Sequence, residues 1–260
     1  MPRSVPLGEL VSYLDSYLRI AEVPDYAEAL NGLQAESRSG RVTRIVAAVD
    51  ATLATIEGVG RASADDAPLL LVHHGLFWDG NRPLTGRRYR RVRALLDGDI
   101  SLYSAHLPLD LHPDVGNNHV LARALGLTRL EPFGLYRGTV VGVQGVLPEP
   151  VIREHFVRTV EEHVGASARL IPGGPAHCNR VGIITGGAGG QIGTAHAAGL
   201  DTFVTGEGAH HTFFDATELG VNAIYAGHYA TETVGVKALA AHLSERFGIP
   251  WEFHDHPTGL

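Results

Sequence analysis

The chain has 260 residues, of which 44% are hydrophobic and 19% charged, enough apolar material for a sizeable core in one large domain or two smaller ones. A formal charge of -7 argues against nucleic acid as the main partner, because that partner rewards a strongly basic surface. A lone cysteine, Cys178, forms no internal disulfide, and no run reaches the roughly 18 apolar residues of a membrane span, so the expectation is a cytoplasmic chain without a membrane partner.

Leu10, Leu14, Tyr17 and Leu18 recur at helical spacing and predict an amphipathic helix within residues 7 to 20. After Asn31-Gly32 comes a series of short apolar runs, each of strand length and each ending in polar residues or glycine. Arg44 to Val49 ends at Asp50, Leu69 to Val72 at His73-His74, and Ile100 to Ala105 at His106. Later, Val181 to Thr185 ends at Gly186-Gly187, Thr202 to Thr205 at Gly206-Glu207, and Ala223 to Ala226 at Gly227-His228. Helical stretches at 118 to 125 and 234 to 246 intervene, which predicts an α/β fold with a parallel or mixed sheet covered by helices. In such folds, ligand sites gather beyond the carboxyl ends of strands.

Tyr103-Ser-Ala-His106-Leu-Pro-Leu-Asp110 and Tyr225-Ala-Gly-His228-Tyr-Ala-Thr-Glu232 share the pattern Tyr-x-x-His-x-x-x-acid at an offset of 122 residues. His73-His74 has a looser counterpart in His210-His211, and the strand from Arg44 parallels the one after Arg180. Elements repeated in the same order predict a duplicated α/β unit, with pseudo-repeated halves at approximately 1-130 and 131-260.

Two histidines in succession at a strand end point in different directions, so His73-His74 can serve two metals, or a metal and a substrate. The i, i+4 spacing of His106 with Asp110 and of His228 with Glu232 places each pair on one face of a helical first turn. The three imidazoles of His73, His74 and His228, with the carboxylates of Asp110 and Glu232, form a nitrogen and oxygen set suited to zinc, iron, manganese, cobalt or nickel. Five ligands exceed one four-coordinate site and favour two divalent metal ions with open positions. Glu207 and His210 end another strand and are candidates for moving protons. Gly186 to Gly190 reads either as an anion cradle or as a tight turn. Arg87, Arg88, Arg90, Arg91 and Arg93 read as a solvated helix face or subunit contact, with a phosphorylated ligand as the less favoured partner.

Asn31-Gly-Leu-Gln34, Val72-His-His-Gly-Leu-Phe-Trp78, His106-Leu-Pro-Leu-Asp110 with Gly116-Asn-Asn118, Thr205-Gly-Glu207 with His210-His211, and Gly227-His-Tyr-Ala-Thr-Glu232 together resemble the Nif-three-like family. These are toroidal proteins with a dinuclear metal centre, often called GTP cyclohydrolase type 2 homologues. The resemblance implies two similar, intertwined α/β units, a ring-shaped homohexamer, and ligand roles for His73, His74, Asp110, His228 and Glu232. It sets His106 near the site without a ligand role. Only about 50 residues separate the halves, as in the short form of the family without an inserted domain.

Two ions with open positions suit a metal-dependent hydrolase acting on a small nucleotide or phosphorylated substrate. The competing reading is a metal-handling or regulatory ring without turnover, suggested by the lack of a recognisable nucleophile. Nucleic-acid threading has only the arginine run behind it.

Overall fold

The computed structural model describes residues 3-60 and 66-260. In chain order the elements are β1 (Val5–Pro6), α1 (Leu7–Tyr17), β2 (Gly32–Ala35), β3 (Arg41–Val42), β4 (Arg44–Asp50), α2 (Leu53–Val59), β5 (Pro68–His74), α3 (Gly86–Gly98), β6 (Ser101–Ser104) and α4 (Leu107–Asp110). They continue with α5 (Asn117–Ala124), β7 (Thr128–Tyr136), β8 (Thr139–Ile152), α6 (Arg153–Val164), β9 (Arg169–Pro172), β10 (His177–Ile183) and α7 (Ile192–Ala197). The last are β11 (Thr202–Thr205), α8 (Thr212–Leu219), β12 (Asn222–Tyr225), α9 (His228–Phe247) and β13 (Trp251–Phe253). All six strands expected from the apolar runs are present, within a few residues of their predicted ends. No helix among the described residues is long and apolar enough to cross a membrane.

The chain divides into two compact units. The first comprises Met1–Leu109 with Val236–His256, and the second Asp110–Gly235 with Pro257–Leu260, where the sequence suggests an even split at 130/131.

Unit 1 is built on a five-stranded sheet of order β13-β4-β5-β6-β2, in which β13, β4, β5 and β6 run parallel and β2 pairs antiparallel at the edge. β5 is buried from Pro68 to His73, which is why it reads as an unbroken apolar run rather than an alternating one. Leu70 and Val72 pack with Val46 and Ala48 of β4, Ile56 and Val59 of α2, and Leu95 of α3. Across the sheet, Tyr103 of β6 donates to Asp15 of α1 at 2.8 Å, and Tyr17 of α1 stacks on His242 of α9 at 4.4 Å.

Unit 2 holds a six-stranded sheet of order β7-β8-β10-β11-β12-β9. Its parallel core is β10-β11-β12, and unit 1 likewise contains three adjacent parallel strands, β4-β5-β6. Val143, Val181, Ile183, Val204 and Ile224 pack against Phe156 and Val160 of α6, Leu121 of α5 and Leu125 just after it. The long β7-β8 hairpin has no counterpart in the sequence reading. It turns at Arg137-Gly138, where both residues adopt positive φ (48° and 85°), the conformation that matches the twist of a two-residue hairpin.

The arginine run lies on α3. Arg88 is buried and donates to the carbonyls of Arg82 and Gly80 at 2.7 and 2.6 Å, pinning the loop that follows β5, while Arg93 pairs with Asp97 one turn on. The run is therefore a helix face with one structural anchor.

Leu71 sits in the middle of β5 with no exposed surface. Leu71→Ala is expected to lower unfolding free energy by about 2–5 kcal/mol, the range for leucine truncation in a close-packed core. Denaturant unfolding with an unchanged m value checks this, and a change below about 1 kcal/mol would contradict such packing.

Candidate metal centre

In unit 1, His73 and His74 are the last two residues of β5, and His106 follows β6. The parallel register that aligns Val72 with Ser104 brings the two strand ends side by side. Ligand-capable atoms of His73, His74 and His106 all lie within 4.8 Å of one another. The rings of His73 and His74 are 4.7 Å apart and tilted by 49°, so the pair converges on a space of ionic size instead of diverging to opposite faces. His73 is fully buried.

Each of these rings is held at Nδ1. His73 Nδ1 lies 2.8 Å from the carbonyl of Ala105, His74 Nδ1 2.9 Å from Asp50 Oδ1, and His106 Nδ1 2.9 Å from Asp25 Oδ1. A carbonyl or an ionised carboxylate only accepts, so Nδ1 carries the proton and donates, and Nε2 keeps its lone pair. Metal-ligating histidines are oriented in this way, by an acceptor on the far ring nitrogen.

The Asp25 side chain is 5% exposed and collects three further donors: Asn31 Nδ2 at 2.8 Å and the backbone N–H groups of Tyr26 at 2.7 Å and Leu107 at 2.9 Å. Burial alone would raise its pKa, but the hydrogen bond and charge of His106, with those of Asn31 and Tyr26, outweigh it and hold the carboxyl below the usual value. Asn31 also accepts the backbone N–H of His106 at 2.7 Å, and Gln34 accepts that of Leu76 at 2.8 Å. The Asn31-Gly-Leu-Gln34 motif is thus a brace for the histidine-bearing segments. Sequence reasoning assigned no role to Asp25 or Asp50. Asp50 carried a signal, as the residue ending a strand, whereas Asp25 lies in an irregular segment with no periodicity to mark it.

In unit 2, Asp110 is buried and accepts from Asn117 Nδ2 at 2.8 Å. Asn117 in turn accepts the backbone N–H of Gly235 at 2.7 Å, and Asn118 donates to the carbonyl of Asp110 at 3.1 Å. The Gly116-Asn-Asn118 motif therefore fixes this carboxylate. His228 and Glu232 open α9, and the i, i+4 spacing brings His228 Nε2 to 3.2 Å from Glu232 Oε1. Glu207 Oε1 accepts from His228 Nδ1 at 2.8 Å. Glu207 orients His228 as Asp50 and Asp25 orient their histidines. His210 is exposed, with its ring edge-on to Phe214 at 5.6 Å.

The glycine loop after β10 is a tight turn. Gly186 N–H donates to Thr231, Ala188 N–H to Thr205 and Gly189 N–H to the carbonyl of Glu207, so these groups are committed within the fold and do not form an anion cradle. Gly186 has φ +71°, and a Cβ there would lie 2.3 Å from Glu232 Oε1. Only glycine lets the chain pass this close to the carboxylate.

The donor types fit a divalent cation: clustered imidazoles in unit 1, and an imidazole with buried carboxylates in unit 2. The arrangement also has a consequence without metal. Burial lowers the pKa of His228, but the hydrogen bonds and charges of Glu232 and Glu207 more than reverse this and raise it from 6.5 to about 9. A raised folded-state pKa contributes stability that is fully present below about 6.5 and lost as pH rises through about 9. The melting temperature of metal-free protein is expected to fall across that window, and His228→Gln to flatten the decline. An identical pH profile in the variant would show that His228 does not carry the effect.

The chain resembles known proteins over nearly its whole length. The chain is 47% identical to the GTP cyclohydrolase 1 type 2 homolog of Deinococcus radiodurans over 252 residues, covering 97% of this chain and 94% of that protein. It is 43% identical to the homolog of the same name in Halobacterium salinarum, over 98% of this chain and 99% of that protein. The crystal structure of TTHA1606 from Thermus thermophilus superposes with a TM-score of 0.86 at 44% identity, over 98% of this chain and 100% of that one. With the Duf34/NIF3 (NGG1p interacting factor 3) pattern matched from residue 5 to residue 258, the chain belongs to that family.

Proposed function

We propose that the protein is a metal-dependent hydrolase whose centre holds two divalent ions on His73, His74, Asp110, His228 and Glu232. One observation carries this reading: each imidazole of the set, in either unit, has its Nδ1 engaged by an oxygen acceptor. Such anchoring is costly in ordering and serves little purpose on a surface, whereas at a metal it fixes the ring and raises its basicity.

Bound ions of this kind lower the pKa of a coordinated water toward neutrality and polarise the bond under attack. The chain's own part is to orient the ligands: Asp50 and Glu207 hold His74 and His228, and Asn117 holds Asp110. The substrate class we assign is a small nucleotide or phosphorylated molecule, following the name shared by the relatives. The active form is a homohexamer in the cytoplasm, and the ions are drawn from zinc, iron, manganese, cobalt and nickel.

A second reading, a ring that stores or delivers metal without turnover, is favoured by the glycine loop, whose committed N–H groups offer no phosphate cradle. The two separate in one experiment. Protein loaded with each candidate ion is assayed against GTP, other nucleotides, phosphate monoesters and small esters, beside Glu232→Ala. Metal-dependent turnover that the variant lacks is expected. Turnover equal in both proteins for every substrate, with ready transfer of the ion to a chelating acceptor, would replace the hydrolase by the second reading.

A further inference from the structure

We infer that α5 is an acid-sensitive latch with His119 as its trigger: while the ring is neutral the helix clamps the Asp110 carboxylate, and a proton on the ring loosens that clamp. The latch stands on the fold of unit 2 alone; only its bearing on a metal ion rests on the reading proposed above.

α5 reaches Asp110 through two asparagines. Asn117 donates to the carboxylate at 2.8 Å, and Asn118 donates to the carbonyls of Asp110 and Val141 at 3.1 and 2.9 Å. Leu121 and Ala122 fix the same helix in the core. His119 follows the asparagines directly, and its Nδ1 is shut off from solvent with no hydrogen-bond partner among the described residues. Neutral, the ring keeps its proton on Nε2 and buries a lone pair. Protonated, it must bury a charged N–H that has no acceptor, the more costly of the two.

The neighbours add to that cost. Arg123 lies one turn along α5 at i, i+4 and is held there, because its guanidinium donates to the carbonyls of Pro113, at 2.6 Å, and Asp114. The loop between Asp110 and α5 brings up His112, which is buried and accepts the backbone N–H groups of Asp114 and Val115 at Nδ1, at 3.2 and 3.3 Å. Asp114 favours a charged ring but is outweighed: burial, then Arg123 and His112, hold the pKa of His119 below the usual histidine value. β8, packed against α5, has no ionisable side chain from Thr139 to Leu147. α9 meets α5 where Gly235 N–H donates to Asn117, and its ionisable groups in unit 2, His228 and Glu232, pair with each other. A lowered folded-state pKa contributes stability that is fully present above about 6.5 and lost as pH falls through the folded value. The His228 contribution is complete below about 6.5, so the two effects fall on opposite limbs of the pH profile.

The test uses metal-free full chain, so its outcome is independent of the hydrolase reading. Wild type and His119→Gln are melted between about pH 7 and about pH 5, and hydrogen exchange at the α5 amides, corrected for its intrinsic pH dependence, is followed over the same range. Wild type is expected to lose melting temperature and α5 protection toward the acid end. His119→Gln, which cannot take up the proton, is expected to lose less of both. Equal acid losses in the two proteins would overturn the latch, and so would a difference in melting with α5 protection unchanged. Should the variant not fold, the ring protons of His119 are titrated by NMR in wild type: a midpoint below about 6.5 supports the latch, and one at or above it refutes it.

Discussion

An oxygen acceptor at the Nδ1 of each histidine is the constraint on which the rest of the centre depends. A free imidazole exchanges tautomers and rotamers, and a ligand set built from free rings would lose most of its affinity to the entropy of ordering them. Here the ordering is achieved during folding. The carbonyl of Ala105 and the carboxylates of Asp50, Asp25 and Glu207 choose the tautomer and the ring direction of His73, His74, His106 and His228. Asp25 is itself held by the backbone N–H groups of Tyr26 and Leu107 and by Asn31, so the order of the fold is passed on to the His106 ring.

The two units reach this result by different chemistry on the same strand order. In unit 1, β4-β5-β6 present imidazoles at their ends and keep the carboxylates behind them as acceptors. In unit 2, β10-β11-β12 lead into a single imidazole flanked by Glu207 and Glu232, with Asp110 braced by paired asparagines. In unit 2 the hydrogen bonds and charges of Glu232 and Glu207 outweigh burial and raise the pKa of His228. Donors of both kinds suit hard-to-borderline divalent ions, for which imidazole supplies a directional bond and carboxylate supplies charge.

The glycine loop, Arg88 and the asparagine and glutamine motif residues serve the architecture. Gly186 lets the backbone approach Glu232, and the N–H groups of that turn bond inside the fold. Arg88 ties down the segment after His73-His74. Asn31, Gln34, Asn117 and Asn118 saturate backbone groups and carboxylates next to the ligands.

What the sequence determined by itself was the set of strands and the histidines and carboxylates at their ends, because buried parallel strands leave unbroken apolar runs and because His-x-x-x-acid is a local, countable spacing. The family followed from several such motifs in order along the chain. Tertiary structure alone decided which groups stand behind the ligands. Asp25 is 81 residues from His106 and Asp50 is 24 from His74, separations at which no periodicity links partner to partner. It also decided the convergence of the His73-His74 pair and the β7-β8 hairpin, whose Arg137-Gly138 turn lacks the usual asparagine or aspartate signal. Local pattern records which side chains are buried; the partner of each polar atom is set by how strands far apart in the chain align.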